Sequence, residues 1–134
     1  PSTPPSGVFD PGDVTLDAPL APGGPFPVTL LSHGTGGTAE SLGWLARALS
    51  KAGHVVPGAN QHGNTGLEPY RPEGFLCWWE RAPDLSILLT RLGESDVFVG
   101  HLDMGRVSAV GFSLGGYTAL ALVGERTSFA AFEA

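Results

Sequence analysis

The hydrophobic pattern becomes regular at Val28. Val28 to Ser32 is a near-continuous apolar run ending at His33-Gly34, which predicts a strand covered on both faces. Residues 39–52 then place Leu42, Leu45, Ala46 and Leu49 at i, i+3, i+4 and i+7. That spacing predicts a helix with Thr38 as its N-cap, Lys51 in its last turn and Gly53 as its stop. His54 to Ala59 reads as a second strand. A helix is predicted over Pro83 to Leu92, with Leu85, Leu88, Leu89 and Leu92 on one stripe. Pro83 and Asp84 suit its first turn, and Gly93 its end. Arg106 to Phe112 predicts a third strand, and Gly115 to Gly124 a third helix. That helix is almost wholly apolar, as a helix buried on all sides is.

Strand and helix thus alternate three times, which predicts an α/β fold: a parallel sheet with helices on both faces. One connection is long, Pro57 to Trp79, and is rich in Gly, Pro and aromatics; a loop of that length in a compact domain is usually functional or mobile. Residues 1–24 form a Pro/Gly-rich lead-in with at most a short strand at Asp13 to Leu16, and residues 25–134 carry the domain. The 134 residues are one domain's worth of chain, 42% hydrophobic and 15% charged, so disorder throughout is excluded. Only seven bases face thirteen acids, for a net charge of −6, which argues against nucleic acid as a partner. No apolar run is long enough to span a bilayer. A single cysteine, Cys77, rules out an internal disulfide and a multi-cysteine zinc site; among apolar neighbours it reads as an inert thiol. The chain opens on Pro1, from which an upstream segment is expected to be missing. That start and the proline-rich lead-in lean toward a secreted or periplasmic protein.

Two stretches carry candidate chemistry. Gly111-Phe112-Ser113-Leu114-Gly115 fits G-x-S-x-G after a predicted strand and before a predicted helix. A serine on so tight a turn is held in an unfavourable backbone conformation, and glycines at 111 and 115 relieve the crowding around it. Ser113 is therefore the candidate nucleophile. His33-Gly34-Thr35-Gly36-Gly37 ends the first strand, where an acyl-transfer enzyme needs an oxyanion donor. The candidate donors are the backbone N–H groups of Thr35 and Leu114. The second stretch lacks the Lys-Ser/Thr of a phosphate-binding loop and is not G-x-G-x-x-G, which disfavours a nucleotide site.

Around both motifs the chain resembles an α/β-hydrolase, of the branch similar to dienelactone hydrolases and platelet-activating-factor acetylhydrolases. The resemblance runs from about Pro25 to Gly124. It is carried by Phe26 to Gly37, by Trp79-Glu80-Arg81 leading into Asp84-Leu85-Ser86, and by Val110 to Gly116. It implies a serine or cysteine nucleophile, a carboxylic-ester or lactone substrate and no cofactor or metal. Serine at position 113 favours the esterase side. Asn60 departs from the branch, which commonly has aspartate after the second strand.

A serine nucleophile needs a histidine base and an orienting acid, which in this fold follow it in the chain. After Ser113 the only acids are Glu125 and Glu133, and there is no histidine. His54, His101, Asp96 and Asp103 fall at the wrong edge of a parallel sheet; His33 supports the oxyanion turn. The expectation is therefore the N-terminal half of a hydrolase whose acid and histidine come from a second chain or a missing C-terminal half. Its partners would be that remainder and a small-molecule ester. Tyr70, Trp78, Trp79 and His62 are candidate pocket walls, and Phe75 joins them. The rival from another class is a non-catalytic binding or structural module that kept the scaffold.

Overall fold

The computed structural model describes residues 14–126. Two strands, β1 (Phe26–Ser32) and β2 (Leu102–Gly111), lie parallel and pair directly. Four α-helices accompany them: α1 (Gly43–Lys51), α2 (Pro72–Leu76), α3 (Arg81–Glu94) and α4 (Leu114–Leu122). Short 3₁₀ turns precede α1 at Glu40–Leu42 and α3 at Trp78–Glu80. The core is the apolar run of β1, with Val28, Leu30 and Leu31 buried, joined by Leu42, Leu85 and Leu102. α4 packs across both strands and against α3.

The second predicted strand is reduced to two parallel bridges, Val28 with Val55 and Leu31 with Gly58. Backbone bonds still run along β1, from Thr29 N–H to Val55 O (2.9 Å) and from Leu31 N–H to Pro57 O (2.8 Å). Pro57 has no N–H to return, so the ladder is broken there. The chain order across the layer is therefore this bridged segment, β1, then β2. β1 sends its connection to one side while β2 lies on the other, and the loops after both strands meet at the carboxyl edge. That edge is where ligands bind in open parallel sheets.

Several boundaries differ from the periodicity. The first helix begins as a 3₁₀ turn with Ala39, not Thr38, at its N-cap; Thr38, one residue ahead, still accepts the Ser41 N–H through its Oγ1 at 3.1 Å. α3 starts two residues early, and Gly93 does not stop it; the helix runs to Glu94. β2 starts at Leu102 instead of Arg106, because the register slips between Pro27 and Val28 and takes up Met104 to Arg106 as an irregularity. There Asp103 Oδ2 accepts from Arg106 Nε at 2.6 Å, and this bond holds the Asp103 carboxyl below its ordinary pKa. α4 is not buried all round: Gly115 and Thr118 are buried, whereas Leu120, and Val123 just after the helix, are exposed. Of the short strand expected at residues 13–16, Asp13 lies outside the described residues and Leu16 is in a turn. Among the described residues no helix is long and apolar enough to cross a membrane.

Candidate active site

Ser113 sits between β2 and α4 with φ 54° and ψ −121°, a region costly for any side chain. The bend is enforced on both sides. A Cβ on Gly111 would overlap the Gly115 carbonyl, and a Cβ on Gly115 would overlap the Ser32 carbonyl at the end of β1. So the two glycines answer to different neighbours: Gly111 to the helix start, Gly115 to the adjacent strand. Ser113 is solvent-exposed, and its side chain does not cap α4. The N–H groups of Gly115 and Gly116 turn back to the carbonyls of Phe112 and Ser113, both at 2.8 Å. Leu114, the first residue of α4, has no hydrogen-bond partner for its N–H among the described residues. It is one of the free donors that every helix start presents.

The loop after β1 abuts this bend. A Cβ on Gly34 would lie 3.4 Å from Ser113 Cβ and 3.2 Å from the Phe112 carbonyl oxygen. Inside the loop, His33 is fully buried. Its Nε2 accepts the Gln61 backbone N–H at 3.1 Å, so the ring proton is assigned to Nδ1, which donates to Gly34 O at 2.7 Å. Burial holds His33 below its ordinary pKa, outweighing the pull of the Gly34 carbonyl; Arg81 lowers it further. The imidazole is therefore neutral, and both nitrogens are occupied. Gly34 O also accepts the Gly37 N–H at 3.1 Å. In a trans peptide the N–H points opposite the C=O. Anchoring Gly34 O inward thus turns the Thr35 N–H outward, and it too has no partner among the described residues.

The segment 57–79, expected as a long loop, is ordered by buried polar residues. Asn64 is fully buried; its Oδ1 accepts the Gly36 N–H at 2.8 Å and its Nδ2 donates to Gly74 O at 2.9 Å. Thr65 Oγ1 donates to Gly37 O at 3.0 Å. Asn60 Oδ1 accepts the Ala39 N–H at 2.7 Å, so the residue that departs from the resembled branch fixes the turn ahead of α1. Asn64, Gln61 and Arg81 are the supporting residues that sequence reasoning missed. A polar residue in a glycine-rich loop reads as solvated until its burial is known.

The five expected pocket walls lie in three places. Tyr70 packs edge-on against Phe75, with ring centroids 5.2 Å apart, and its hydroxyl faces Gly36 closely enough that a Cβ there would come within 2.5 Å. It therefore borders the loop after β1. Trp78 and Trp79 line a groove of about 550 Å³ between the start of α3 and α4, together with Tyr117 and Pro83. His62 pairs with Glu68, Nδ1 to Oε1 at 2.9 Å, on the rim of a separate cavity of about 270 Å³. Asp84 lines that cavity as well, and burial, then Glu80, raises its carboxyl above the ordinary value. The other histidines lie elsewhere: His54 Nδ1 is 2.8 Å from Thr29 Oγ1, and the His101 carbonyl accepts from Phe26 at the start of β1. No group of three His, Cys, Asp or Glu side chains suited to a metal forms among the described residues.

No family model and no curated protein sequence matches the chain. Among solved structures it is similar to a ferulic acid esterase from Streptomyces cinnamoneus, at 27% sequence identity and a TM-score of 0.64. The match covers 77% of this chain and 34% of that one, so the chain spans about a third of the length of the structure it resembles. This likeness supports a relationship to ester hydrolases.

Proposed function

We propose that this chain carries the nucleophile and the oxyanion donors of a serine carboxylic-ester hydrolase, in the half-domain arrangement of the α/β-hydrolases. The observation that carries the reading is the bend at Ser113: an exposed hydroxyl on a strained strand-to-helix turn, against a loop whose free N–H is turned outward. The esterase likeness supports it at the level of reaction class.

In this reading Ser113 Oγ attacks the ester carbonyl carbon, and the C=O π pair moves onto oxygen. The N–H groups of Thr35 and Leu114 hold that oxyanion. The C–O bond to the alcohol then breaks, and the alcohol leaves with the proton taken from Ser113. Water adds to the acyl-enzyme and releases the acid. The proton carrier is a histidine oriented by an acid, both supplied from outside this chain. His33 has both nitrogens engaged, and His54, His62 and His101 are tied to other partners or stand at the far edge. No cofactor enters the scheme. Ferulic acid esters, named by the solved neighbour, are the first substrates to try.

The test is a fluorophosphonate probe on the assembled protein, with mapping of the adduct. Labelling at Ser113 that disappears in Ser113→Ala is the expected result. Absence of labelling in the assembled protein assigns the fold to a non-catalytic binding module instead. This chain by itself is expected to turn over a p-nitrophenyl ester far below the roughly 1–1000 per second of ordinary enzymes.

A further inference from the structure

Arg81 is the first residue of α3, and stability alone gives no reason for it to be there. A cation at a helix N-terminus is opposed by the helix dipole. The side chain is only 3% exposed, so its charge is taken out of water, and this burial lowers its pKa. Two of its three nitrogens, Nε and NH1, have no hydrogen-bond partner. A local rule broken three times over points to a role elsewhere.

That role is visible in the bonds the guanidinium does make. Arg81 NH2 donates to the His33 carbonyl oxygen at 2.5 Å, reaching across 48 positions of sequence. NH2 also lies 3.4 Å from His33 Nδ1, but Nδ1 already carries the proton given to Gly34 O, so this is a contact and not a second bond. The cavity beside Arg81 is lined by Glu73, Glu80 and Asp84, yet none of these carboxylates accepts a bond from the guanidinium. The one bonded nitrogen, NH2, is committed to the loop. Three carboxylates on one small cavity also make it a poor trap for an anionic ligand.

His33 is thus held at three points. Arg81 grips its carbonyl, the Gln61 N–H its Nε2, and Gly34 O its Nδ1–H. The next residue, Gly34, has no side chain to restrict rotation, so the 33–34 peptide can turn if the His33 carbonyl is released. Gly34 O and the Thr35 N–H belong to the following peptide, and free rotation about both Gly34 backbone bonds passes the displacement on to it. Gly34 O is thereby drawn away from His33 Nδ1 and Gly37 N–H, and the Thr35 N–H turns with it. Asn64 secures the far end of the loop at Gly36; Arg81 secures the near end.

We propose that Arg81 is a positioning residue for the oxyanion loop: its guanidinium holds the His33 carbonyl so that the Thr35 N–H faces the reacting carbonyl. The inference deepens the serine-hydrolase reading and rests on it. Oxyanion donors act in the transition state more than in substrate binding, so losing their alignment lowers kcat and spares KM.

The experiment uses the assembled protein and counts active molecules by fluorophosphonate titration. Arg81→Met removes the donors while keeping apolar bulk. The expected result is a kcat per titrated site about 10- to 100-fold lower, with KM changed less than twofold. Arg81→Lys, which retains one cationic donor, is expected to recover part of the loss. Arg81→Ala opens space continuous with the cavity, and millimolar guanidinium chloride is expected to accelerate it relative to equal sodium chloride. A merely structural residue would reduce the titratable fraction, leave kcat per site unchanged and gain nothing from guanidinium, a destabilising ion. Arg81→Met within twofold of wild type per site overturns the inference. So does equal impairment of the Lys and Met variants with no guanidinium rescue; should Arg81→Met fail to fold, the Lys and Ala variants decide. If wild-type protein does not label at Ser113, the serine-hydrolase reading itself fails and takes this inference with it. That result is read without any Arg81 variant.

Discussion

Two non-glycine residues among those described have positive φ, Asp17 and Ser113. Aspartate in an exposed turn tolerates such a backbone; a serine with ψ of −121° does not, and the strain is on the order of 1–3 kcal/mol. Replacing Ser113 with glycine removes that strain but raises the entropy of the unfolded chain. Ser113→Gly is therefore expected to exceed Ser113→Ala in stability by about 1 kcal/mol, read from urea midpoints, although both lack the hydroxyl. The other informative residue is His33. Its folded-state pKa lies below the 6.5 of the unfolded chain, so between the two values the unfolded chain binds more protons. Stability from this residue is complete above about pH 6.5 and is lost as pH falls below it. Urea midpoints across this range should show that slope in wild type and not in His33→Gln. Asp84, with a raised carboxyl pKa, acts in the opposite sense and in a lower window, above its unfolded value of 3.8.

At the scale of elements, the site is made where two loops at one sheet edge are pinned by a third. The β1 loop and the β2–α4 bend touch through Gly34 and Ser113, while segment 57–79 reaches over and bonds to Gly36 and Gly37. Asn64 is the principal tie. Its amide orientation follows from its partners, because Gly36 offers a donor and Gly74 an acceptor. Asn64→Ala leaves two part-buried backbone groups without their partner and is expected to cost about 1–3 kcal/mol in a urea titration. Asn64→Asp keeps the bond to Gly36 but sets an oxygen against Gly74 O, so it is expected to destabilise as well. In both variants the segment should become more open to limited proteolysis than α3 does.

For the molecule as a whole, exposed apolar side chains occur on several elements, from Trp44 of α1 and Ile87 of α3 to β2 and α4. β2 pairs only with β1 among the described residues, leaving its other edge open with Met104 and Val107 exposed; Leu120 of α4 and Val123 just after it are exposed as well. An unpaired apolar edge invites strand-to-strand association. The chain by itself is expected to associate with rising concentration in sedimentation velocity, and Val107→Lys to shift it toward monomer. An unchanged distribution would mean that association runs through another surface.

The residue order alone determined what depends on neighbours within a few positions. The leucine stripes of α1 and α3 follow from helical spacing, and the need for Gly111 beside the bend at Ser113 from crowding against the nearby Gly115 carbonyl. Gly115 answers instead to the Ser32 carbonyl, which the pairing of β1 with β2 brings there. The tertiary structure decided what depends on distant partners. Arg81 finds the His33 carbonyl 48 positions away, and Asn64 finds Gly36 across 28. Pro57 interrupts a pairing that only the position of β1 makes possible, and α4 is half exposed because what covers a helix is not written in the helix. A hydrogen bond between remote groups carries no trace in either local sequence, since each residue would serve equally well in water; burial alone makes the partner obligatory.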